Sequence, residues 1–306
     1  MPTLQQLRYL VAVAETLHFR RAAELTHVTQ PTLSGQLREL EEKLGVQLVE
    51  RSRARVILTP IGTEIAGRAK GVLRDVQEIV EVAKHEQNLM GGTIRLGVLP
   101  SLGPYLLPHI LPELHRRFPD LKFYVREGLP QALLGGLDDG SYDLLLFPLP
   151  VTGSDIAHTR LFRESLLVVA PTDHRLAKKQ QVEQTDLKDE TVLTLERGHR
   201  LHDQVHELCA QYGAKLALDY EGTSLDTLRQ MVGMGMGLSL LPALYVRSEV
   251  SNDDQVVARH LRTRRPFRMI GMVWRRHSAR QDEFQALAEL IREIISEGVP
   301  EVTVLR

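Results

Sequence analysis

The first sixty residues place their apolar side chains at helical steps. Leu4, Leu7, Leu10, Val11 and Ala14 predict one helix, and Phe19, Ala22, Ala23 and Leu25 predict a second, shorter one. Thr26, His27 and Val28 leave room only for a tight turn between crossing helices. A third helix is predicted after Thr29, whose hydroxyl suits an N-cap, with Pro31 in a first turn where a missing N–H costs little. Leu33, Leu37, Leu40 and Leu44 give it one buried face, and Gly45 stops it. Short strand-like runs follow at 48–50 and 56–58, joined by Arg51, Ser52, Arg53, Ala54 and Arg55.

Thr59 and Pro60 open a long helix with no strong stop before Gly91 and Gly92. Ile65, Ala69, Val72, Val76, Ile79 and Ala83 recur within it at alternating steps of four and three. That is the spacing of a coiled-coil dimer seam, and also that of a helix packed on its own domain. From Thr93 the pattern alternates strands and helices. TIRLGV, LKFYVRE, YDLLLF, SLLVVA and FRMIGMVW are strand candidates. Helices are expected at 103–118, 130–137, 201–212, 224–232 and 281–296. This order predicts an α/β domain with mainly parallel sheets. The expected organisation by pattern is 1–58 as a helical domain closed by a short hairpin, 59–90 as a linker helix that could also pair two copies, and 91–306 as an α/β domain.

Gln30, Thr32, Ser34 and Arg38 project from the start of the third helix opposite its leucines. Amides, hydroxyls and a guanidinium there suit base edges and phosphates in a major groove. A helical hairpin with a solvated polar face has the same spacing. The arginine-bearing tip that follows, Arg51, Arg53 and Arg55, favours a wing for phosphate or minor-groove contact. Net charge is −1, and residues 1–60 hold eight Arg or Lys against six Asp or Glu, so DNA affinity must come from arrangement more than from total charge. The amino terminus lacks the pattern of a signal peptide and no run approaches a membrane span, so a cytoplasmic location is expected. No Walker lysine, nucleophile elbow or paired-carboxylate arrangement is present, which argues against an enzyme, and no cofactor is expected.

The stretch HFRRAAELTHVTQPTLSGQLRELEEKLGVQLVERSRARVILTPIG resembles the winged helix-turn-helix of the LysR-type transcriptional regulators, and is most similar to that of the OxyR peroxide sensors. LGVLPSLGPYLLPHILPELHRRFP, LTLERGH, TSLDTLRQMV and GLSLLPAL extend the resemblance along nearly the whole chain. It implies a winged helix-turn-helix with Gln30, Pro31, Thr32, Ser34, Arg38 and the wing arginines on DNA. It also implies a two-lobed regulatory domain like the type 2 periplasmic binding proteins, a dimer or dimer of dimers, and RNA polymerase as a partner. A solute-binding protein or enzyme on the same two-lobed fold is the competing class.

A small-molecule effector is expected in the cleft between such lobes. Ser101 and Leu102, in the loop after the first strand, would face it with free N–H groups, as would Thr223 and Ser224, although each could equally be a plain N-cap. The resemblance places the peroxide-reactive cysteine of the OxyR sensors at Arg200, the resolving cysteine at Cys209 and a peroxide-holding threonine at Pro130, and it retains His199 and Asp203. Cys209 is the one cysteine, so no intrachain disulfide can form. Arg200 suits a carboxylate or phosphate effector, or else an internal partner that locks one state. Cys209 flanks the apolar stripe of Leu201, Val205, Leu208 and Tyr212, so inert burial is expected, with single-thiol sensing as the alternative. His199, His202, His206 and Cys209 share one helical face, but one straight helix cannot wrap them around a single ion, and no metal is expected. Arg262, Arg264, Arg265, Arg268, Arg275, Arg276 and Arg280 are expected to be solvated.

Overall fold

In the computed structural model the described residues are 1–51, 56–85 and 91–305. They form two compact units, the first running from the amino terminus to Asn88 and the second built on most of the remainder.

The first unit opens with α1 (Leu4–Thr16), α2 (Phe19–Leu25) and α3 (Gln30–Leu44), followed by β1 (Val49–Arg51) and β2 (Val56–Leu58), an antiparallel pair, and α4 (Pro60–His85). Leu10, Val13, Ala22, Leu33, Leu37, Leu40 and Leu48 are fully buried in a common core. Each buried leucine contributes about 1.5–3 kcal/mol relative to exposure. Gly45 takes the left-handed conformation (φ 68°) that ends α3, where a Cβ would be strained.

Two predicted faces are corrected. The buried face of α1 is Gln6, Tyr9, Leu10, Ala12 and Val13, with Leu4 exposed, because Gln6 finds polar partners inside and can take a core position. Leu25 is 62% exposed. The two-turn α2 buries only Ala22 and Ala23, whose small side chains allow close approach.

The seam expected along α4 divides. Ile65, Ala66 and Ala69 are wholly or partly buried within the unit, where Lys70 also pairs with Glu15 of α1 at 3.2 Å. Val72 and Ile79 are exposed, Ile79 at 69%. The side chain of Ala83 lies outside the described residues.

The second unit has β3 (Gly92–Val98), α5 (Gly103–Arg117), β4 (Leu121–Glu127), α6 (Pro130–Asp138), β5 (Leu144–Leu149) and β6 (Ile156–Pro171). It continues with β7 (Gln181–Val182), β8 (Thr191–Leu195), α7 (Arg200–Tyr212), β9 (Lys215–Gly222), α8 (Leu225–Gly233) and β10 (Leu238–Pro242). A single turn α9 (Ala243–Tyr245), β11 (Val256–Leu261), β12 (Phe267–Arg275), α10 (Gln281–Gly298) and β13 (Val302–Val304) complete it.

The main strand order is β4-β3-β5-β12-β6-β10-β8-β9. Strand β6 belongs to two lobes. Its residues 156–165 pair with β12, while 166–169 pair with β10 and 168–171 with β11. The chain thus enters the second lobe along β6 and returns between β11 and β12. Two cores follow, one around Leu96, Ile110, Leu145, Phe162, Met272 and Leu287, the other around Val168, Leu193, Val205, Leu228 and Leu240. The sheets are mixed, not mainly parallel. β3 pairs parallel with β4 and β5, and β8 with β9 and β10, but every pairing of β6 and β12 is antiparallel. No helix among the described residues is long and apolar enough to cross a membrane.

Candidate functional site

Two surfaces carry exposed or unusually placed polar chemistry, one in each unit. On α3 the leucines face inward, while Gln30, Pro31, Thr32 and Arg38 are exposed and Ser34 is half-buried. Thr29 caps the helix, accepting from the Thr32 N–H at 3.4 Å, and its hydroxyl lies 2.8 Å from that of Thr32. Gln30 and Arg38 have no hydrogen-bonded side-chain partner among the described residues. Their donors and acceptors are therefore available to an external partner. An amide can pair with an adenine edge through two bonds, and a guanidinium with guanine or a phosphate.

The opposite side of α3 is anchored by buried Gln6. Its Nε2 donates to Gln36 Oε1 at 3.3 Å, while its Oε1 accepts from the Thr3 N–H at 3.1 Å and from Lys43 Nζ at 3.4 Å. Lys43 also pairs with Glu39 at 2.7 Å and holds that carboxyl below its usual range. Arg53 and Arg55, and the side chain of Arg51, lie outside the described residues.

In the second unit a cavity of about 370 Å³ lies where β5 ends and α7 begins. One wall is Leu99, Ser101, Pro148, Leu149 and Pro150, and the other is His199, Arg200, Asp203, Gln204 and Glu207, with Phe267, Arg268 and Met269 between them. Arg268 is buried, which corrects its expected solvation. It stands opposite Glu164 in the β12–β6 register and donates to its Oε2 at 2.6 Å. Its other nitrogens donate to Ser101 Oγ at 3.0 Å and Ser101 O at 2.7 Å. The second Glu164 oxygen accepts from the Leu244 N–H at 2.9 Å. A wholly buried carboxylate is thus matched by one guanidinium and one backbone donor. Arg275 and Arg280 also turn inward, bonding Leu137 O and Tyr142 O in one case and Glu283 in the other.

Arg200 is the first residue of α7. Its Nη2 donates to Pro150 O at 2.7 Å, a bond from the second lobe to the end of the first lobe's β5 segment. No carboxylate lies within ion-pair distance of it among the described residues. His199 is buried at the N-cap position without capping through its side chain, and its Nε2 is 3.8 Å from Glu196 Oε1. Burial lowers its pKa from the ordinary 6.5, against the raising effect of Glu196. Asp203 and Glu207 are exposed on the next turns of the same face.

The cavity therefore gathers Ser101, His199, Arg200 and Asp203. Leu102 is buried in the first lobe's core, and Pro130 is buried at the start of α6; neither lines the cavity. Within the loop the N–H groups of Leu102 and Gly103 both donate to Leu99 O at 2.9 Å, so Leu102 does not offer the free N–H expected of it. Thr223 and Ser224 are also outside the lining. Ser224 is a plain N-cap of α8, accepting from the Thr227 N–H at 3.2 Å.

Cys209 is 3% exposed, and burial pushes its thiol up to about 11. Thiolate is scarce at neutral pH at such a site. His202 is tied through Nδ1 to Leu195 O at 2.8 Å, and its ring stacks on His206 with centroids 6.4 Å apart. No group of three or more His, Cys, Asp or Glu is placed to hold a metal ion among the described residues.

Arg268, which lines the cavity, and its buried partner Glu164, which does not, escape the sequence pattern, although a signal for them was present. In their strands they share a face with buried apolar residues two positions away, Arg268 with Ile270 and Glu164 with Phe162 and Leu166.

Two family profiles match the chain. The bacterial regulatory helix-turn-helix protein, lysR family, covers residues 4–63, and the LysR substrate binding domain covers 87–295. The DNA-binding transcriptional dual regulator OxyR of Escherichia coli K12 is 42% identical over 289 residues, 94% of each chain. A full-length Pseudomonas aeruginosa OxyR carrying a cysteine-to-aspartate change superposes with a TM-score of 0.79 at 37% identity, covering 95% of this chain and 94% of that one. A hydrogen peroxide-bound mutant of Corynebacterium glutamicum OxyR gives a TM-score of 0.68 at 33% identity, covering 98% and 95%.

Proposed function

The chain belongs to the LysR family of DNA-binding transcriptional regulators, is OxyR-like and is not an enzyme; from that premise we propose that it acts without a peroxide-driven disulfide, under a small anionic effector held between its lobes. It works in the cytoplasm on double-stranded DNA as a dimer or dimer of dimers, with RNA polymerase as the partner whose access it controls. Gln30, Pro31, Thr32 and Ser34 lie in the major groove. Arg38 and the wing arginines Arg51, Arg53 and Arg55 hold phosphates. Pairing through α4 is supported by the apolar side chains of Val72 and Ile79 that the unit leaves uncovered.

The observation that carries the effector reading is the contrast between Cys209 and Arg200. The lone thiol is buried and raised to about 11, whereas Arg200 presents a permanent cation at the cavity with a carbonyl, and no carboxylate, against it. A guanidinium so placed suits a carboxylate or phosphate. Asp203 and Glu207 confine an anion to the Arg200 end. A second reading, a locked state, is favoured by the Arg200 to Pro150 bond, which already spans the lobes.

Footprinting the full-length protein on its operator tests both. Hydrogen peroxide is expected to leave the footprint unchanged in the unsubstituted protein and in Cys209→Ser. A peroxide-dependent shift would defeat the reading. Screening small carboxylates and phosphates for a change in footprint then separates the alternatives. Under effector control Arg200→Gln removes the response, and under a lock it changes the footprint with no ligand added.

A further inference from the structure

The first unit contains a junction at Leu48 that no local spacing announces. The Leu48 side chain is buried in the helical core, and both its backbone polar groups are held by different helices. Its N–H donates to Glu41 Oε1 of α3 at 2.9 Å, and the Val49 N–H donates to the same oxygen at 3.1 Å. Its carbonyl accepts from the Thr59 N–H at 3.0 Å. Thr59 Oγ1 donates to Gln47 O at 2.8 Å and lies 3.3 Å from Leu48 O, and it accepts from the Gly62 N–H, in the first turn of α4, at 2.9 Å. A Cβ on Gly62 would stand 2.0 Å from Leu48 O. Helix α4 can therefore approach this carbonyl only because residue 62 has no side chain.

The ladder between β1 and β2 is three residues long, too short to fix an angle between two helices. The Glu41 carboxylate supplies what the ladder cannot, since a charged acceptor shared by two backbone donors is among the stronger hydrogen-bond arrangements. We propose that Glu41, Thr59 and Gly62 are positioning residues for DNA recognition: they clamp the chain at Gln47–Val49 between α3 and α4, so that the recognition helix and the pairing helix turn as one body. In a pair of subunits joined along α4, the two recognition helices then keep one separation and one relative rotation. This inference rests on the pairing proposed above.

The test uses full-length protein and a duplex that the unsubstituted protein selects from a random library, alongside the same duplex with one or two base pairs inserted at its centre. Two inserted pairs rotate the half-sites by about 70°. The unsubstituted protein is expected to lose about 30-fold in affinity on that insertion. Glu41→Ala is expected to bind the parent duplex about tenfold more weakly and to lose less than about threefold on insertion, because its helices no longer keep one angle. Thr59→Val, which removes the hydroxyl links to Gln47 O and the Gly62 N–H while keeping the backbone bond to Leu48 O, is expected to flatten the spacing dependence in the same direction. Glu41→Gln keeps an acceptor oxygen and is expected to restore it.

The clamp is overturned if Glu41→Ala and Thr59→Val retain the full spacing dependence. It is equally overturned if they weaken binding to parent, inserted and random duplexes by one common factor, or if Glu41→Gln fails to restore spacing. If the unsubstituted protein is itself indifferent to insertion, the pairing reading fails and the positioning role falls with it. The unsubstituted protein thus reports on pairing, and the variants on the clamp.

Discussion

The polar face of α3 and the cavity of the second unit use similar side chains in opposite ways. On α3, Gln30 and Arg38 are exposed and have no side-chain partner among the described residues. In the cavity Arg268 is consumed internally by Glu164 and Ser101, whereas exposed Arg200 has a single carbonyl as its hydrogen-bond partner among the described residues. Surfaces of the first kind cost little to build, because water solvates them until DNA arrives. A site of the second kind needs a buried ion pair merely to hold its walls, and breaking such a pair costs more than the pair is worth.

That difference is sharpest in stability. Arg268→Ala is expected to destabilise the second unit by about 3–5 kcal/mol in chemical denaturation, because wholly buried Glu164 loses its guanidinium partner. A loss under about 1 kcal/mol would mean that water takes the place of the guanidinium beside Glu164. On α3, Gln30→Ala is expected to leave stability unchanged and to cost about 1–3 kcal/mol in DNA affinity at one base pair of the operator. If gel shifts showed the same loss on every sequence, Gln30 would be a backbone contact.

A smaller effect follows from pH. Burial lowers the pKa of His109, His199 and His260 from 6.5 in the folded chain. As pH falls through 6.5 the unfolded chain takes up these protons first, so folded stability declines below that pH and is fully present above it. Thermal melts at pH 7.5 and 5.5 measure the slope, and His199→Gln should reduce it. Smallest of all, Arg200→Gln should change stability by no more than about 0.5 kcal/mol, since an exposed guanidinium with one carbonyl partner contributes little. A larger loss would favour the lock over the effector.

Helix α3 was legible in the chain because its signals are local. Thr29, Pro31, the leucine spacing and Gly45 mark α3 within one local stretch, and the structure places them as cap, first turn, buried face and stop. The cavity was legible only in part. Its α7 wall, from His199 to Asp203, is one segment and could be picked out. Its other parts come from residues near 100, 150, 164 and 268, and nothing in local spacing joins them. The strand β6 was seen only in its apolar second half, because IAHTRLFRE alternates polar and apolar residues and has no turn signal before SLLVVA. For α1 the error was of another kind. An apolar count cannot foresee that Gln6 satisfies its amide inside and displaces Leu4 outward.

The placement of β12 bears on how the polypeptide matures. The second lobe draws its sheet from residues 166–261, an unbroken stretch, whereas the first lobe needs β12, made almost last, as the central strand between β5 and β6. On the ribosome the later-encoded lobe therefore has all its strands first, and the earlier one stays open at its middle until residue 275 has emerged. A premature stop between residues 261 and 267 would spare the distal lobe and leave the proximal one without its central strand.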